Sequence, residues 1–231
     1  MHKNSLRLFE EYARIHFEPG ARVLEIGPDR APSTYQQLAG GPFAAWDTLD
    51  FAARTDIPLT YRTTSEYDFP IPDDSYDIVF SAQVIEHVRK IWRWMPEVAR
   101  VCRPGGLVIT INPVSWHYHE SPVDCWRIYP EGMRALSEDA GLEVIDSLWE
   151  SVEMRRAEEM VPRKLRKQHI FQRLSGVMGI LSAAVNFPVE AAYDTITVAQ
   201  KPEVAAAGAV RPRGAGKSGE AEASGFDAEE G

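Results

Sequence analysis

The chain has 231 residues, 44% of them hydrophobic, which is enough to bury one sizeable core. Its formal net charge of −9 argues against a protein whose main partner is nucleic acid, because a phosphate backbone requires a broad basic surface. Cys102 and Cys125 are too few for a disulfide framework. Residues 1–17 carry charges throughout and lack the apolar core of a signal peptide, so we expect a cytoplasmic protein.

The hydrophobic pattern predicts helices and strands in alternation. An amphipathic helix over residues 4–17 is followed by predicted strands at 21–26, 45–50, 61–64, 76–81, 107–111, 142–148 and 193–200. Further helices are predicted at 33–38, 84–102 and 131–140. The second of these has one apolar face, formed by Val84, Val88, Ile91, Trp92, Met95 and Val98. Such alternation with short connections is typical of a doubly wound α/β fold.

We therefore expect a Rossmann-like, mostly parallel seven-stranded sheet with helices on both faces. The last strand, 193–200, alternates like a half-covered strand, and we place it as an antiparallel strand at the sheet edge. The predicted domain spans residues 1–201, with the N-terminal helix in 1–19 and a helical insertion or lid at 150–190. Residues 202–231 are rich in Ala, Gly and Glu and are predicted to be a disordered tail.

The insertion is basic in an acidic protein. Residues 151–175 hold seven Arg or Lys against three Glu, and the apolar stretch 174–189 is broken and too short for a membrane span. It could lie on anionic lipid, or close over a lipid-linked or glycan acceptor. We favour a helical cap that packs on the domain or on a second subunit, in a monomer or homodimer.

The segment after the first strand has the features of a nucleoside site. Gly27 lets the backbone turn sharply, and Glu25 offers a carboxylate to a cationic amine. Asp50 follows Gly27 by 23 positions, about the spacing at which an acidic side chain meets ribose hydroxyls. Glu-x-Gly alone is also the pattern of an ordinary turn.

Three segments in order carry a resemblance to a known family. They are Val23-Leu-Glu-Ile-Gly-Pro28, Phe69-Pro-Ile-Pro-Asp-Asp-Ser-Tyr-Asp-Ile-Val-Phe-Ser-Ala-Gln-Val-Ile-Glu-His-Val88, and Val98-Ala-Arg-Val-Cys-Arg-Pro-Gly-Gly-Leu107. The chain resembles the class I S-adenosylmethionine-dependent methyltransferases, in their small-molecule branch of ubiquinone- and menaquinone-type enzymes, the methyltransferases of type 11. The resemblance is close over residues 20–113.

The resemblance implies S-adenosyl-L-methionine as cofactor. The methionyl part is expected near Gly27, the ribose on Asp50, and the adenine beside the residues before Phe69. The cofactor-binding residues predicted on this basis are Glu25, Gly27, Pro28, Asp50, Phe51, Ser65, Glu66, Ser81 and Gln83. Asp29 and Ala31 replace the family's second and third glycines, and Ser65 replaces an Asp that receives the adenine amino group.

The loop after the fifth strand, 112–129, is dense in groups that transfer protons. Methyl transfer to a hydroxyl needs a base, and a well-placed His contributes roughly 10²- to 10⁴-fold. The predicted catalytic residues are His117, His119, His87, Asp124 and Arg127. Equally, the loop could be scaffolding in which Asp124 pairs with Arg127. His87 is expected to bond at the start of a helix and to shape the pocket.

No metal site is predicted, because no third ligand accompanies His117 and His119. Trp116, Tyr118 and Trp126 offer stacking faces for a sugar or other flat acceptor. We therefore predict a methyltransferase acting on a hydroxyl, less readily an amine, of a small molecule, saccharide or lipid-linked acceptor. The alternatives are a non-catalytic adenosylmethionine-binding or interaction protein and a nicotinamide oxidoreductase.

Overall fold

The computed structural model describes residues 3–120, 122–152, 155 and 192–203. The insertion predicted at 150–190 and the tail predicted at 202–231 therefore lie almost wholly outside the described residues, and both stay predictions, as does the domain division. No helix in these ranges is long and apolar enough to cross a membrane.

Seven strands form one sheet. They are β1 (Arg22–Ile26), β2 (Ala45–Phe51), β3 (Tyr61–Thr63), β4 (Tyr76–Ala82), β5 (Cys102–Ser115), β6 (Glu143–Glu150) and β7 (Tyr193–Gln200), in the order β3-β2-β1-β4-β5-β7-β6. The α-helices are α1 (Lys3–Leu8), α2 (Thr34–Ala39), α3 (Ile91–Val101) and α4 (Pro130–Asp139). The first five strands are parallel and β7 is antiparallel to both of its neighbours, so the predicted doubly wound fold is confirmed.

Successive residues of the central strands contribute to two separate cores, one on each face of the sheet. Leu24 and Val79 pack with α3 on one face, while Val23 and Phe80 pack with the N-terminal helix on the other. This follows from the two-residue period of a strand. It also explains the consecutive apolar residues Val23–Leu24 in β1 and Ile78–Phe80 in β4: both faces of these strands are covered.

The N-terminal segment is helical where predicted, in three pieces. α1 continues into a π-helical turn, Phe9–Ala13, and then a 3₁₀ turn, Arg14–His16. Phe9 packs its ring against Phe17, Tyr35 and Phe80 at centroid separations of 5.0 to 5.3 Å. These contacts fix the segment on the sheet.

The prediction that a helix starts at Val84 was wrong for the first turn. A 3₁₀ turn, Ile85–His87, comes first, and α3 begins only at Ile91. The carbonyls of Glu86 and Val88, which a continuous helix would use, accept instead from the Cys125 amide at 2.7 Å and from the Trp126 indole at 2.8 Å. A tertiary contact therefore replaces the helical bonds.

The predicted apolar face of this helix was wrong at Trp92, which is 52% exposed. Because α3 starts at Ile91, the buried positions are Ile91, Trp94, Met95 and Val98, at helical spacing from the true start. Trp92 lies outside this stripe, with its ring 6.1 Å from that of Trp126.

The placement of residues 193–200 at the sheet edge was also wrong. β7 lies between β5 and β6, and its interior positions are all buried. The edge strand is β6, which pairs with β7 in antiparallel fashion. The alternation in β7 comes from buried Thr195 and Thr197, whose hydroxyls bond to Ile128 and Ser147, and not from an exposed face.

Candidate functional site

The site lies at the carboxyl ends of β1, β2, β4 and β5. The strand order reverses next to β1, since β2 extends the sheet to one side and β4 and β5 extend it to the other. Ligands of doubly wound sheets bind in the crevice that forms at such a switch point. Both predicted groups, cofactor-binding and catalytic, come from loops that leave this end of the sheet.

Gly27 ends β1 in a conformation that favours glycine. Its φ is +73°, and its N–H donates to the Leu49 carbonyl at 2.9 Å. A Cβ here would lie 2.4 Å from Cγ2 of Val84, which is too close for any side chain without displacement. The glycine thus keeps the turn tight against the loop after β4.

Asp29 stands where the family has a glycine, and its side chain stabilises the start of α2. Its carboxylate accepts from the backbone N–H of Thr34 at 2.9 Å and from the Thr34 hydroxyl at 2.7 Å. Ser33 completes the start of α2 by accepting from the Gln36 N–H at 2.9 Å. The carboxylate therefore satisfies a free donor at a helix N-terminus.

Arg54, which sequence reasoning missed, links the loops after β1 and β2. Its guanidinium donates to the Asp50 carboxylate at 2.7 Å, to the Pro28 carbonyl at 2.6 Å and to the Asp29 carbonyl at 3.2 Å. In this structure Asp50, the predicted ribose partner, is therefore an ion-pair partner of Arg54. Arg54 is the single basic residue between β2 and β3, but no local sequence pattern predicts that it reaches back to the loop after β1.

A narrow apolar slot lies beside Asp50. Its volume is about 50 Å³, and its lining comprises Ile26, Gly27, Leu49, Asp50, Phe51, Thr63, Ser65, Glu66, Phe69, Val84, Val88 and Trp94. It shares four residues with a wider cavity of about 1140 Å³ bordered by Arg89, Lys90 and Pro122. Apolar walls beside the carboxylates of Asp50 and Glu66 suit part of an adenosyl group, and the wider cavity supplies the volume that the slot lacks.

Five of the nine predicted cofactor residues line this slot: Gly27, Asp50, Phe51, Ser65 and Glu66. Glu66 is also held by the guanidinium of Arg89 at 2.8 Å and by the Tyr67 hydroxyl at 2.5 Å. The other four do not line it. Of these, Pro28 accepts from Arg54, and Ser81 is buried on β4.

Glu25 is buried at the centre of the β1 strand and accepts two bonds on Oε2. The Ser33 hydroxyl donates at 2.5 Å and the Trp46 indole N–H at 2.8 Å. Burial raises the pKa of the carboxyl to about 7, although these two bonds oppose the rise. Glu25 therefore already has partners of its own on α2 and β2.

Gln83 follows β4 with φ at +58°, an uncommon conformation for a residue other than glycine. Its side-chain amide donates to Asp194 at 3.0 Å, and Asn4 donates to the other oxygen of that carboxylate at 2.7 Å. Through this buried carboxylate, Gln83 is connected to the N-terminal helix. Backbone strain of this kind is common at functional sites.

Three predicted catalytic residues meet above β4 and β5. The rings of His87 and His119 lie edge to face with centroids 5.1 Å apart, and the ring of His117 is 6.0 Å from that of His119. His87 does not open a helix as predicted. Its Nδ1 lies 2.5 Å from the Val123 carbonyl, so it attaches the 3₁₀ turn to the loop after β5.

Asp124 and Arg127 form an ion pair, as predicted for the case in which the loop serves as scaffolding. The contact is bidentate, at 2.5 and 2.7 Å, and Asp124 also accepts from the His119 N–H at 2.8 Å. The Arg127 guanidinium is the main reason that the pKa of Asp124 falls to about 2. Asp124 Oδ2 lies 3.4 Å from Nδ1 of His119, so a permanent carboxylate faces that ring.

Glu86 is the neighbour that the sequence did not single out. Its side chain is fully buried, and neither carboxylate oxygen has a hydrogen-bond partner among the described residues. Its Oε1 is 3.7 Å from Nε2 of His87. Burial raises the pKa of this carboxyl to about 8 and lowers the pKa of His87. Glu86, His87 and His119 each offer a ligand atom within 4.8 Å of the other two, and this group, which does not include His117, could hold a metal ion.

Among the aromatic residues of the loop after β5, some pack against the core and others are exposed. Trp126 donates its indole N–H to Val88 and packs against the core, whereas Tyr118 is among the exposed large side chains. A shallow cavity of about 300 Å³ lies between them and is lined by Trp116, Tyr118, Asp124, Cys125, Trp126 and Arg127. It is a flat, mixed surface beside the histidines.

Comparison of the sequence with known proteins finds similarity to methyltransferases. Residues 45–110 match the family model described as a methyltransferase domain. An uncharacterized methyltransferase of Mycobacterium avium is 35% identical over 98 residues, which are 42% of this chain and 33% of that protein. The chain thus spans about a third of the length of that curated relative.

Solved structures agree on the fold. A SAM-dependent methyltransferase of Aquifex aeolicus has a TM-score of 0.50 at 15% identity, covering 87% of this chain and 94% of that one. Phosphoethanolamine N-methyltransferase 2 of Haemonchus contortus, in complex with S-adenosyl-L-methionine, has a TM-score of 0.51 at 18% identity, covering 86% and 52%.

Residues 45–110 thus match a methyltransferase domain, and they lie in a sheet of the doubly wound order. The predicted fold is confirmed, and the match over residues 45–110 supports the predicted methyltransferase family and, with it, S-adenosyl-L-methionine as cofactor. The individual site residues stay predictions. Among the described residues, the structure brings the predicted cofactor and catalytic groups to the same end of the sheet.

Proposed function

We propose that this protein transfers a methyl group from S-adenosyl-L-methionine to a hydroxyl oxygen of a small molecule, a saccharide or a lipid-linked acceptor. The observation that carries the proposal is the cluster of His87, His119 and Glu86 in the loops after β4 and β5, beside the adenosyl slot. An amine acceptor, once neutral, needs no base, whereas a hydroxyl must lose its proton as it attacks.

The chain's residues have separate tasks in this reaction. The slot around Gly27 and Asp50 binds the adenosyl part, and the cofactor supplies the reactive methyl on its sulfonium. The protein aligns the acceptor oxygen behind that methyl. As the O–C bond forms and the S–C bond breaks, the hydroxyl proton passes to His119 or His117, and the products are the methyl ether and neutral S-adenosylhomocysteine.

Asp124 supports this role for the imidazoles. Because Nδ1 of His119 lies 3.1 Å from the His117 carbonyl and 3.4 Å from Asp124, the proton on Nδ1 has acceptors and Nε2 carries the lone pair. Asp124 stays ionised through its pairing with Arg127, so its charge would stabilise an imidazolium.

The acceptor surface is proposed to be the shallow cavity between Trp116 and Trp126. Aromatic faces next to polar groups suit the apolar and hydroxylated faces of a sugar ring. The Lys90 ammonium at the border of the wider cavity supports an acceptor that carries an anionic group, since Arg89 beside it is already paired with Glu66.

The test is transfer of an isotope-labelled methyl group. The full chain is incubated with methyl-labelled S-adenosylmethionine and panels of saccharides, hydroxylated aromatics and lipid-linked sugars, and the labelled product is analysed by NMR. The proposal expects a methyl carbon bonded to oxygen. Label on nitrogen would contradict the choice of acceptor atom. Binding of S-adenosylhomocysteine without transfer to any panel would favour the non-catalytic alternative.

A further inference from the structure

We propose that Glu86, His87 and His119 form a binding site for a divalent transition-metal ion. One ligand atom from each of the three residues lies within 4.8 Å of the other two, and Oε1 of Glu86 is 3.7 Å from Nε2 of His87. Two of the residues are adjacent in sequence and the third is more than thirty positions away. The loop after β5 brings it back over β4.

The buried state of Glu86 is the independent observation that points to a ligand. Its side chain has no exposed surface, and both carboxylate oxygens lack a hydrogen-bond partner in the described part of the chain. A buried polar group without a partner costs about 1 to 3 kcal/mol, and more if it is charged. A cation bound to the carboxylate would remove this cost.

The outer nitrogen of each histidine is already held as it is in known metal sites. Nδ1 of His87 is bonded to the Val123 carbonyl, and Nδ1 of His119 lies against the His117 carbonyl and the Asp124 carboxylate. With the protons on Nδ1, both Nε2 atoms present lone pairs. Metal-binding histidines almost always donate their other N–H to a carbonyl or carboxylate in this way.

Charges of both signs surround the cluster. Arg127 acts on Glu86 ahead of Asp124 and Asp194, but its guanidinium is engaged in a bidentate contact with Asp124. Two imidazoles and one carboxylate form a donor set suited to Zn²⁺ and to similar first-row ions, whereas Mg²⁺ and Ca²⁺ prefer oxygen ligands.

Binding requires a modest contraction. Zinc bonds of about 2.0 to 2.2 Å place the ligand atoms of a tetrahedral site roughly 3.3 Å apart. From separations of up to 4.8 Å, the ligand atoms must therefore approach by up to about 1.5 Å. The partly exposed His119 loop can supply this movement. Three protein ligands would leave a fourth position open, as in catalytic zinc sites.

The consequence for catalysis rests on the proposed function. A hydroxyl bound at the open position would lose its proton to His117 or to water, because a metal ion lowers the pKa of the oxygen that it binds. The oxygen would then attack the methyl carbon while the S–C bond breaks, and S-adenosylhomocysteine leaves as a neutral thioether. In this arrangement His119 is a ligand, and His117 is the proton acceptor.

The experiment uses the full chain, freed of metal with a chelator and titrated with Zn²⁺ by calorimetry and with Co²⁺ by visible absorption. We expect one ion per chain and Co²⁺ bands in the visible range. His119→Ala and Glu86→Gln should each weaken Zn²⁺ binding at least tenfold. His16→Ala, which removes a histidine remote from the cluster, is the matched control and should bind as the wild type does.

Circular dichroism and melting curves establish that each variant is folded, and His119, as the most exposed ligand, keeps the test valid if Glu86→Gln unfolds. Absence of stoichiometric binding, or equal binding by His119→Ala and wild type, would overturn the site. Metal binding is measured without any acceptor, so failure of methyl transfer with the site intact would count against the proposed function alone. Transfer that persists in metal-free protein would count against the metal's catalytic role.

Discussion

The guanidinium of Arg54 donates to Asp50 at 2.7 Å, and the same group holds the Pro28 carbonyl at 2.6 Å. The two loops that would contact the cofactor are thus joined by one side chain in the free protein. Ribose hydroxyls that bind Asp50 must share it with Arg54 or displace it. The affinity for an adenosyl ligand should therefore depend on whether residue 50 carries a carboxylate.

We expect Asp50→Ala to weaken S-adenosylhomocysteine binding by at least tenfold, because a hydrogen bond to a charged group contributes about 1.5 to 3 kcal/mol. Isothermal titration calorimetry measures the affinity. Asp56→Ala is the matched control, since Asp56 is the other carboxylate that Arg54 contacts, at 3.3 Å, and does not line the slot. Equal affinities for the two variants would contradict the ribose assignment.

Gly27→Ala should cost more stability than Gly20→Ala. Both glycines have positive φ, which costs another residue roughly 1 to 2 kcal/mol. A Cβ at Gly20 meets nothing within 4 Å, whereas at Gly27 it meets Val84. Thermal melting should give a larger fall for Gly27→Ala, and adding Val84→Ala should restore part of it.

S-adenosylhomocysteine binding should be lost in Gly27→Ala and kept in Gly20→Ala. The larger Gly27→Val substitution should likewise abolish binding while the circular dichroism spectrum still reports a folded sheet. Unchanged affinity in the Gly27 variants would remove this turn from the cofactor site.

Glu25 should make the stability of the fold depend on pH. Its pKa rises from an ordinary 4.5 to about 7 in the folded chain, so the folded state keeps a proton that the unfolded state has lost. Stability should therefore fall as pH rises from about 4.5 to 7, by up to about 3 kcal/mol, since one pKa unit is about 1.4 kcal/mol.

Glu25→Gln removes this titration and retains an oxygen to accept from Ser33 and Trp46. The melting temperature of the variant minus that of the wild type should therefore increase between pH 5 and pH 8. The increase should be several degrees, since 1 kcal/mol corresponds to about 2 to 4 °C in a chain of this size. A difference between the two proteins that is constant over this range would show that Glu25 does not titrate there.

Removal of residues 204–231 should leave the melting temperature unchanged, because their composition supports no core. A cut after Gln200 should lower it. The Lys201 ammonium donates to Asp74 at 2.7 Å and to the Cys102 carbonyl at 2.8 Å, and its backbone pairs with the Gly105–Gly106 turn. A large fall in the first truncation would show that the tail contributes to the fold.

Local pattern was sufficient to predict where the strands lie and the turn that ends the first of them. Val23 and Leu24 are apolar because both sheet faces are covered, and Gly27 marks the end of the strand. The error at Val84 has a tertiary cause, since residues forty positions later bond the carbonyls that a helix would use. No window of neighbouring residues contains that information.

The candidate site likewise contains some residues that local sequence pattern predicts and some contacts that only the folded chain reveals. The predicted cofactor residues Gly27 and Asp50 lie at the ends of strands at motif positions, so spacing was enough to propose them. The contact of His119 with His87 depends on how the loop after β5 folds back. Likewise, the lack of partners for Glu86 and the bridge made by Arg54 are properties of packing, which composition and periodicity do not encode.

The most direct test of the account is turnover by His119→Ala on a hydroxyl acceptor identified by methyl labelling. We predict a fall in kcat of at least tenfold, with S-adenosylhomocysteine affinity within twofold of wild type, because the role proposed for His119 is on the acceptor and His119 does not line the slot beside Asp50. The pH profile should lose one limb, and His16→Ala should behave as wild type. Full turnover in His119→Ala and in the His117→Ala/His119→Ala double variant would contradict the account and reduce the loop to scaffolding.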